Sequence, residues 1–410
     1  MYKSLLLLCF FLFAGLLSPL IYAQQTPNER FNNVQLLSSE GKYQEAIKEI
    51  KSLISDYPEN LDYKIQLGRI FSWAEQYENS KSILLPIIEN YPENEAAFSS
   101  LLNTLLWSGE YKETIKYAKT GIQRFPDKEF EYQLIMLKAY EQTGAVKKGL
   151  ALVESLKKDS PNKSGLEATE TILLKKQKNK INLSYSNTFF PSDDFDPWHL
   201  GSISYTRNWE KIPTEYRLSY ANIFGRNDIQ FDMDLYPVIN RSSYLYANLG
   251  FAPNHTIFPS FRGGLEYFYE FGNGLSLSSG GRILKFSEET IPILTTHLGK
   301  TFGDYKVQYR PFFVSQNKDL FTTHTLALRK KWHIKEAFLQ LDLQYGTAPY
   351  FLFFNDDFDR ISSKRIGLQS QFRASRHLLV KFNIMYEHEE YTPKNFRNRL
   401  NSQVIFVKRF

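Results

Sequence analysis

Hydrophobic and polar positions follow two different periods along this chain, and the change falls near residue 181. From Ile181 onward apolar and polar residues alternate one by one, the pattern of a strand whose two faces meet different surroundings. Ile229-Gln230-Phe231-Asp232-Met233-Asp234-Leu235 is the cleanest case. Phe261, Leu265, Tyr267 and Tyr269 alternate with Arg262, Glu266 and Glu270, and Ile366, Leu368 and Phe372 with Arg365, Gln369, Gln371 and Arg373. Val380, Phe382, Ile384 and Tyr386 interleave with Lys381, Asn383 and Glu387. Fourteen candidate strands begin near residues 181, 199, 214, 228, 243, 261, 275, 293, 305, 321, 336, 362, 378 and 399, or twelve if weak strands merge. Strands of about ten residues with one apolar and one charged face fit a transmembrane barrel. A soluble sandwich alternates as well, so the period alone does not choose between them.

Connection lengths favour the barrel. With the first strand running outward, one set of links is short: Gly272-Asn273-Gly274, Gly303-Asp304 and Ser375-Arg376-His377. The other set is longer: Pro191 to Pro197, Ala252 to Ser260, Ala348 to Ser363 and Tyr391 to Asn398. Short turns at one end and long loops at the other are the habit of outer-membrane barrels. Trp198, Trp209, Tyr305, Trp332 and Tyr391 fall near strand ends, where rings suit the interfacial girdles. The last strand ends Val404-Ile405-Phe406-Val407-Lys408-Arg409-Phe410. Its terminal Phe410 resembles the signal that such barrels present to the barrel assembly machinery.

Upstream of residue 181 a block recurs instead. Tyr57-Pro58-Glu59-Asn60, Tyr91-Pro92-Glu93-Asn94, Phe125-Pro126-Asp127-Lys128 and Ser160-Pro161-Asn162-Lys163 place their prolines 34, 34 and 35 residues apart. A second marker precedes each: Gly41-Lys42-Tyr43, Glu75-Gln76-Tyr77, Gly109-Glu110-Tyr111 and Gly144-Ala145-Val146, followed three residues on by a small residue at Ala46, Ser80, Thr114 and Gly149. This period and layout resemble the tetratricopeptide repeat. Each copy would be a helix hairpin that buries its apolar face only by stacking on the next. The expected organisation is therefore a leader at 1–23, about four repeats over 24–165, a capping helix and linker over 166–180, and a barrel over 181–410. In the repeat register Trp73 and Trp107 share one position, which the family places on the concave surface, with Arg69, Asn103 and Lys138 beside them. The indoles either bind a peptide or sugar there or pack between repeats.

Composition narrows the classes. The 410 residues carry 50 Lys or Arg against 44 Asp or Glu, spread along the chain, which points to no nucleic-acid partner. One Cys excludes an internal disulfide, and it lies at Cys9 inside the leader. That leader has Lys3, an apolar run from Leu5 to Leu17, and Tyr22-Ala23 before Gln24, the three-part layout of a secretory signal peptide. Aromatic residues make up 16%, more ring surface than an ordinary core requires, and Tyr and Trp suit places with one apolar and one wet side.

Helical repeats followed by a barrel of this length resemble the YaiO-type outer-membrane β-barrel family. The layout is also similar to the exopolysaccharide export porins, which usually carry more repeats and a larger barrel. The resemblance implies a two-domain α + β chain in the cell outer membrane, with the repeats in the periplasm. It implies a monomer in contact with outer-membrane lipid, and a periplasmic protein or polysaccharide chain at the repeat groove. Export or assembly of a surface polysaccharide is the leading expectation, a non-conducting anchored scaffold the second, and a lipid-modifying hydrolase the third.

Chemistry for that third class is thin. Seven histidines are scattered with no His-x-x-x-His spacing, so no metal site and no cofactor is expected. His255 with Ser260, or His297 with Thr295, are candidates for a hydrolase on composition alone, and neither sits in a motif. No catalytic residues are assigned, and the chain is expected not to be an enzyme. Asp193-Asp194 and Asp356-Asp357-Phe358-Asp359 read as solvated loops, or as oxygen ligands for a divalent ion. Gly263-Gly264 and Gly280-Gly281 lie inside strands and argue for bends or close packing. Asp232, Asp234, Arg262, Glu266, Arg365, Gln369, Gln371 and Arg373 are the expected lumen residues. Their mixed signs fit either a hydrogen-bonding path for a sugar chain or a lumen plugged by ion pairs.

Overall fold

The computed structural model describes residues 26–159, 165–191, 195–209, 211–287, 289–316, 319–333, 335–346 and 362–410. The leader with Cys9, the fourth proline marker and both acidic clusters lie outside the described residues. The chain divides into two compact units, one up to Lys158 and the other from Asp159 onward.

The first unit is built of helix pairs: α1 (Pro27–Ser39) with α2 (Tyr43–Asp56), α3 (Leu61–Trp73) with α4 (Tyr77–Asn90), α5 (Glu95–Trp107) with α6 (Tyr111–Arg124), and α7 (Glu129–Thr143) with α8 (Val146–Asp159). The repeat markers explain the boundaries. Asn60 caps α3 by accepting from the Asp62 and Tyr63 N–H groups, and Asn94 caps α5 by accepting from Ala97. Tyr57, Tyr91 and Phe125 end their helices in one conformation, with φ of −132°, −128° and −126°. Between paired helices the chain turns through left-handed residues at Gly41, Glu75, Gly109 and Gly144. The small residues Ala46, Ser80, Thr114 and Gly149 are all buried, and Ser80 Oγ meets Thr104 Oγ1 at 3.0 Å.

The second unit opens with α9 (Leu166–Lys175) and continues as strands β1 (Asn179–Phe189), β2 (Trp198–Arg207), β3 (Thr214–Ile223), β4 (Arg226–Leu235), β5 (Val238–Asn240), β6 (Ser243–Phe251), β7 (Phe261–Glu270), β8 (Leu275–Lys285), β9 (Thr290–Phe302), β10 (Tyr305–Gln316), β11 (Asp319–Trp332), β12 (Ala337–Gly346), β13 (Ser362–Ser375), β14 (Leu378–Thr392) and β15 (Asn395–Arg409). Consecutive strands pair antiparallel, β1 pairs with β15, and β4 pairs with β6, which closes the ring. The three-residue β5 sits in the turn between β4 and β6 and pairs only with β6. Fourteen strands therefore make a closed antiparallel barrel.

The loop asymmetry is weaker than the sequence suggests. Tyr391 to Asn398, expected as a long loop, is instead a tight hairpin, with β14 running to Thr392 and β15 starting at Asn395. Phe224-Gly225 is a two-residue turn at the same end, where Gly225 adopts φ +69°. Helix α9, expected as the cap of the repeats, belongs to the barrel unit. Arg376 Nε lies 2.7 Å from Glu170 Oε1, and Arg373 Nη2 donates to Thr171 Oγ1 at 2.6 Å.

Candidate functional site

The faces of the strands sort cleanly. On β4, Asp228, Gln230, Asp232 and Asp234 are buried while Ile229 and Phe231 are exposed. Leu183, Ile203, Leu218, Leu249, Leu265, Leu298, Leu343, Ile366 and Phe382 are likewise exposed on their strands. A closed barrel with its apolar residues outside and its charges inside is the inverse of a water-soluble one. Such an outer face is stable only against lipid, whose interior satisfies apolar surface and accepts no unpaired backbone. Trp209, Tyr305 and Trp332 are exposed at the end where the barrel begins and ends, and Lys330 Nζ lies over the last two rings at 5.5 and 5.2 Å. No described helix is long and apolar enough to cross a membrane.

Trp198 does not join that girdle. It is 2% exposed, packed at the opposite end of the lumen with Phe190, Ala221, Ile223, Ala252, Ile257 and Phe258. Its strand position has the inward parity of Ser204, and Arg399 lies over its ring at 5.1 Å. A second apolar cluster, Leu284, Phe286, Ile291, Ile293, Phe312 and Val314, fills the same end along β8, β9 and β10. The loop Ala252–Ser260 is tied in by Asp228, whose Oδ2 accepts from the Ile257 and Phe258 N–H groups at 2.9 and 3.0 Å.

Below these clusters the lumen is filled by ion pairs. Asp234 pairs with Arg217 and accepts from Tyr246 Oη at 2.8 Å and Asn248 Nδ2 at 2.7 Å. Asp232 lies 3.5 Å from Arg262 Nε, and Gly250, directly opposite both, leaves them room: a Cβ there would stand 2.4 Å from each side chain. Glu266 takes Arg310 Nη1 at 2.9 Å, with Arg282 at 3.8 Å and Ser278 Oγ also donating to it. On the other wall Arg365, Glu387 and Arg399 stand in one row across β13, β14 and β15. Arg365 Nε is 2.6 Å and Arg399 Nη2 2.7 Å from Glu387, and Glu389 pairs with Arg397 and with Arg399. At the end where the barrel begins, Glu336 holds Arg373 at 2.7 Å and Arg409 at 2.9 Å, and its carbonyl accepts from Gln371. Gln369 lines the lumen beside Asp342 and Asn383.

Residues 178–351 match the family model described as the YaiO membrane beta barrel domain. Over these residues, from the start of β1 to beyond β12, the barrel is similar to that family. No curated protein matches the chain. Among solved structures, the "CymD monoaromatic hydrocarbon channel" is similar at TM-score 0.39 and 9% identity, covering 59% of this chain and 91% of its own. A "Bacterial polysaccharide outer membrane secretin" is similar at TM-score 0.40 and 6% identity, covering 57% and 99%. A tetratricopeptide repeat protein from Parabacteroides merdae is similar at TM-score 0.33 and 15% identity, covering 36% and 58%.

Several residues of the barrel lumen were not marked by the sequence: Asp228, Arg217, Arg310, Glu336, Glu389, Arg397 and Arg399. Their strands do alternate, so parity could have found them, but their partners are brought together only by closure. The barrel does not assemble the two histidine pairs. Thr295 Oγ1 donates to Pro311 O at 3.1 Å, and Ser260 Oγ to Lys285 O at 2.8 Å. His297 instead lies 3.3 Å from Ser276 Oγ, and no carboxylate meets its ring among the described residues. Phe410 is exposed beside the last strand, its N–H donating to Asn179 O at 3.1 Å.

In the repeat unit Trp73 and Trp107 close α3 and α5 at 39% and 47% exposure and belong to neither apolar core. Arg69 Nε donates to Ser100 Oγ at 2.8 Å, and Asn103 Nδ2 to Ser99 O at 3.1 Å, while Lys138 is exposed.

Proposed function

We propose that this outer-membrane barrel is a non-conducting anchor that holds its helical repeats at the periplasmic surface, where Trp73 and Trp107 face a partner. One observation carries this reading. The lumen is crossed by paired charges along its length and filled with apolar side chains at the end away from the start of β1 and the end of β15. Ions crossing such an interior would have to displace buried pairs, each costly to break. The exposed indoles support a docking role for the repeats, since large rings outside a core gain most by being covered. The test is a planar-bilayer recording of the full mature chain. No steady conductance is expected, and steady single-channel steps would overturn the anchor.

A second reading, export or assembly of a surface polysaccharide, is favoured by a different feature. At the end where the barrel begins lies a cavity of about 450 Å³, lined by Arg329, Lys331, Glu336, Gln371 and Lys381 among others. A barrel that opened toward the other end would pass a chain from there. Conductance that appears only when soluble glycan or a periplasmic partner is added would favour this reading over the anchor.

A further inference from the structure

The charges of that cavity are not balanced as the rest of the lumen is. Higher in the barrel, Arg217, Arg262, Arg310, Arg365, Arg397 and Arg399 each have a carboxylate within 4 Å. In the cavity the lining cations are Arg329, Lys331, Lys381 and Lys175, and the one carboxylate is Glu336. Glu336 is already held by Arg373 and Arg409. Next to them, Lys306 stands directly opposite Arg329 across the β10–β11 pair. Arg329 packs over the Phe338 ring at 4.2 Å and donates to Gln340 Oε1 at 2.5 Å. Lys331 follows Arg329 by two residues and so shares its inward face. Among the described residues no salt bridge joins a carboxylate to Lys306, Lys331 or Lys381, and Glu270 and Glu215 attract them only from beyond contact range.

Like charges placed directly opposite in an antiparallel pair destabilise it, and inside a barrel wall the repulsion is screened less than on an open surface. Such an arrangement is a cost to the fold unless something else supplies the negative charge. Nearby amides extend the site, because Gln371 and Asn383 engage their nitrogens with Glu336 O and Gln403, which leaves their oxygens for hydroxyl donors. A cavity of about 450 Å³ lies in the range that holds a short oligomer.

We propose that the lumen mouth beside the start of β1 and the end of β15 binds an acidic glycan, with Lys306, Lys331 and Lys381 taking its carboxylate or phosphate groups. The amide oxygens of Gln371 and Asn383 receive its hydroxyls. The inference rests on the barrel geometry and holds for a closed anchor or a pore alike, so its failure and a failure of the conductance test read separately.

The experiment uses the full mature chain in detergent micelles, titrated calorimetrically with an oligogalacturonate. A neutral dextran oligomer of equal length and inorganic phosphate form the other arms. The oligogalacturonate is expected to bind with an affinity that falls as salt is raised. K331Q and K381Q are each expected to weaken it roughly tenfold, the scale of one charge-assisted hydrogen bond. Lys285→Gln, at the opposite end of β8, serves as the control and should leave it unchanged. K306Q has a second readout that needs no ligand: relief of its repulsion with Arg329 should raise the unfolding temperature of the empty barrel. Heat-modified mobility on gels establishes that each variant is folded. Absence of binding, equal affinity for dextran, or unchanged affinity in K331Q and K381Q would overturn the proposal. Phosphate binding as tight as the oligomer would overturn the glycan and leave a small-anion site.

Discussion

Replacing Glu387 with Gln is expected to destabilise the barrel by several kcal/mol. The Glu387 carboxylate is buried, lies 2.6 Å from Arg365 Nε, and accepts from Arg399 Nη2 at 2.7 Å and from Ser363 Oγ at 2.6 Å. With Arg397 and Glu389 these groups form a cluster of three guanidinium charges and two carboxylates. Gln keeps the volume and an acceptor for Ser363 but removes one of the two negative charges. Removing one partner of a buried pair costs about 3–5 kcal/mol. Two unit charges at about 4 Å interact by roughly 4 kcal/mol at an effective dielectric of about 20, so the two estimates agree in scale. The assay is urea unfolding of the full chain refolded in detergent, with the midpoint shift multiplied by the slope. Adding Arg365→Met to the Gln variant restores the balance of charge and should recover more than half of the loss, a coupling that a double-mutant cycle isolates. A Gln variant with the wild-type midpoint, or a double variant whose losses simply add, would falsify the view that these pairs hold the lumen together.

Three further outcomes are expected. Asp228→Ala removes the oxygen that accepts both hydrogen bonds from the Ala252–Ser260 loop, each worth about 1.5–3 kcal/mol as a bond to a charged group; faster proteolysis within residues 252–260 checks it, and unchanged cleavage would mean that the apolar cluster alone seats the loop. Glu75→Gly should stabilise the repeats by up to about 1 kcal/mol, because Glu75 holds φ 59° where its repeat equivalents Gly41 and Gly109 are glycine; the midpoint of helix loss by circular dichroism reports it. Glu110 is held below its usual value of 4.5 chiefly by the Lys81 hydrogen bond at 2.9 Å. The folded state therefore binds its proton less readily than the unfolded chain does. The stabilisation is complete above the unfolded value and is lost as pH falls from about 4.5 through the lower folded value. Lys81→Met should flatten the acid dependence of the helical signal in that window, and an unaltered slope would remove the pair from the account.

The sequence determined the architecture because both periods are local. A 34-residue recurrence of Pro, aromatic and small residues needs only its own neighbours to place turns and close helix contacts, and the repeat markers fall where the helices end and start. The alternation of Gln230, Asp232 and Asp234 with Ile229 and Phe231 likewise states which face is wet, since a strand's side chains alternate whatever lies across the sheet. The match of strand starts at 214, 243, 261, 275, 305, 362 and 378 follows from the same fact.

What fills the lumen was decided only by closure of the barrel. Arg310 and Glu266 are 44 residues apart and Arg409 and Glu336 are 73 apart, so no local pattern pairs them. The apolar end of the lumen hid for a related reason. Along β9, Ile291 and Ile293 point inward while Pro292 and Leu294 point outward, and with both faces apolar the period of two carries no contrast. Trp198 looked like an interfacial ring because its place at a strand end is local information. Its burial against Phe190, Ile257 and Phe258 is set by two loops that fold inward from different strands. Local periodicity thus fixed the wall of this barrel, and contacts between strands distant in sequence settled what stands inside it.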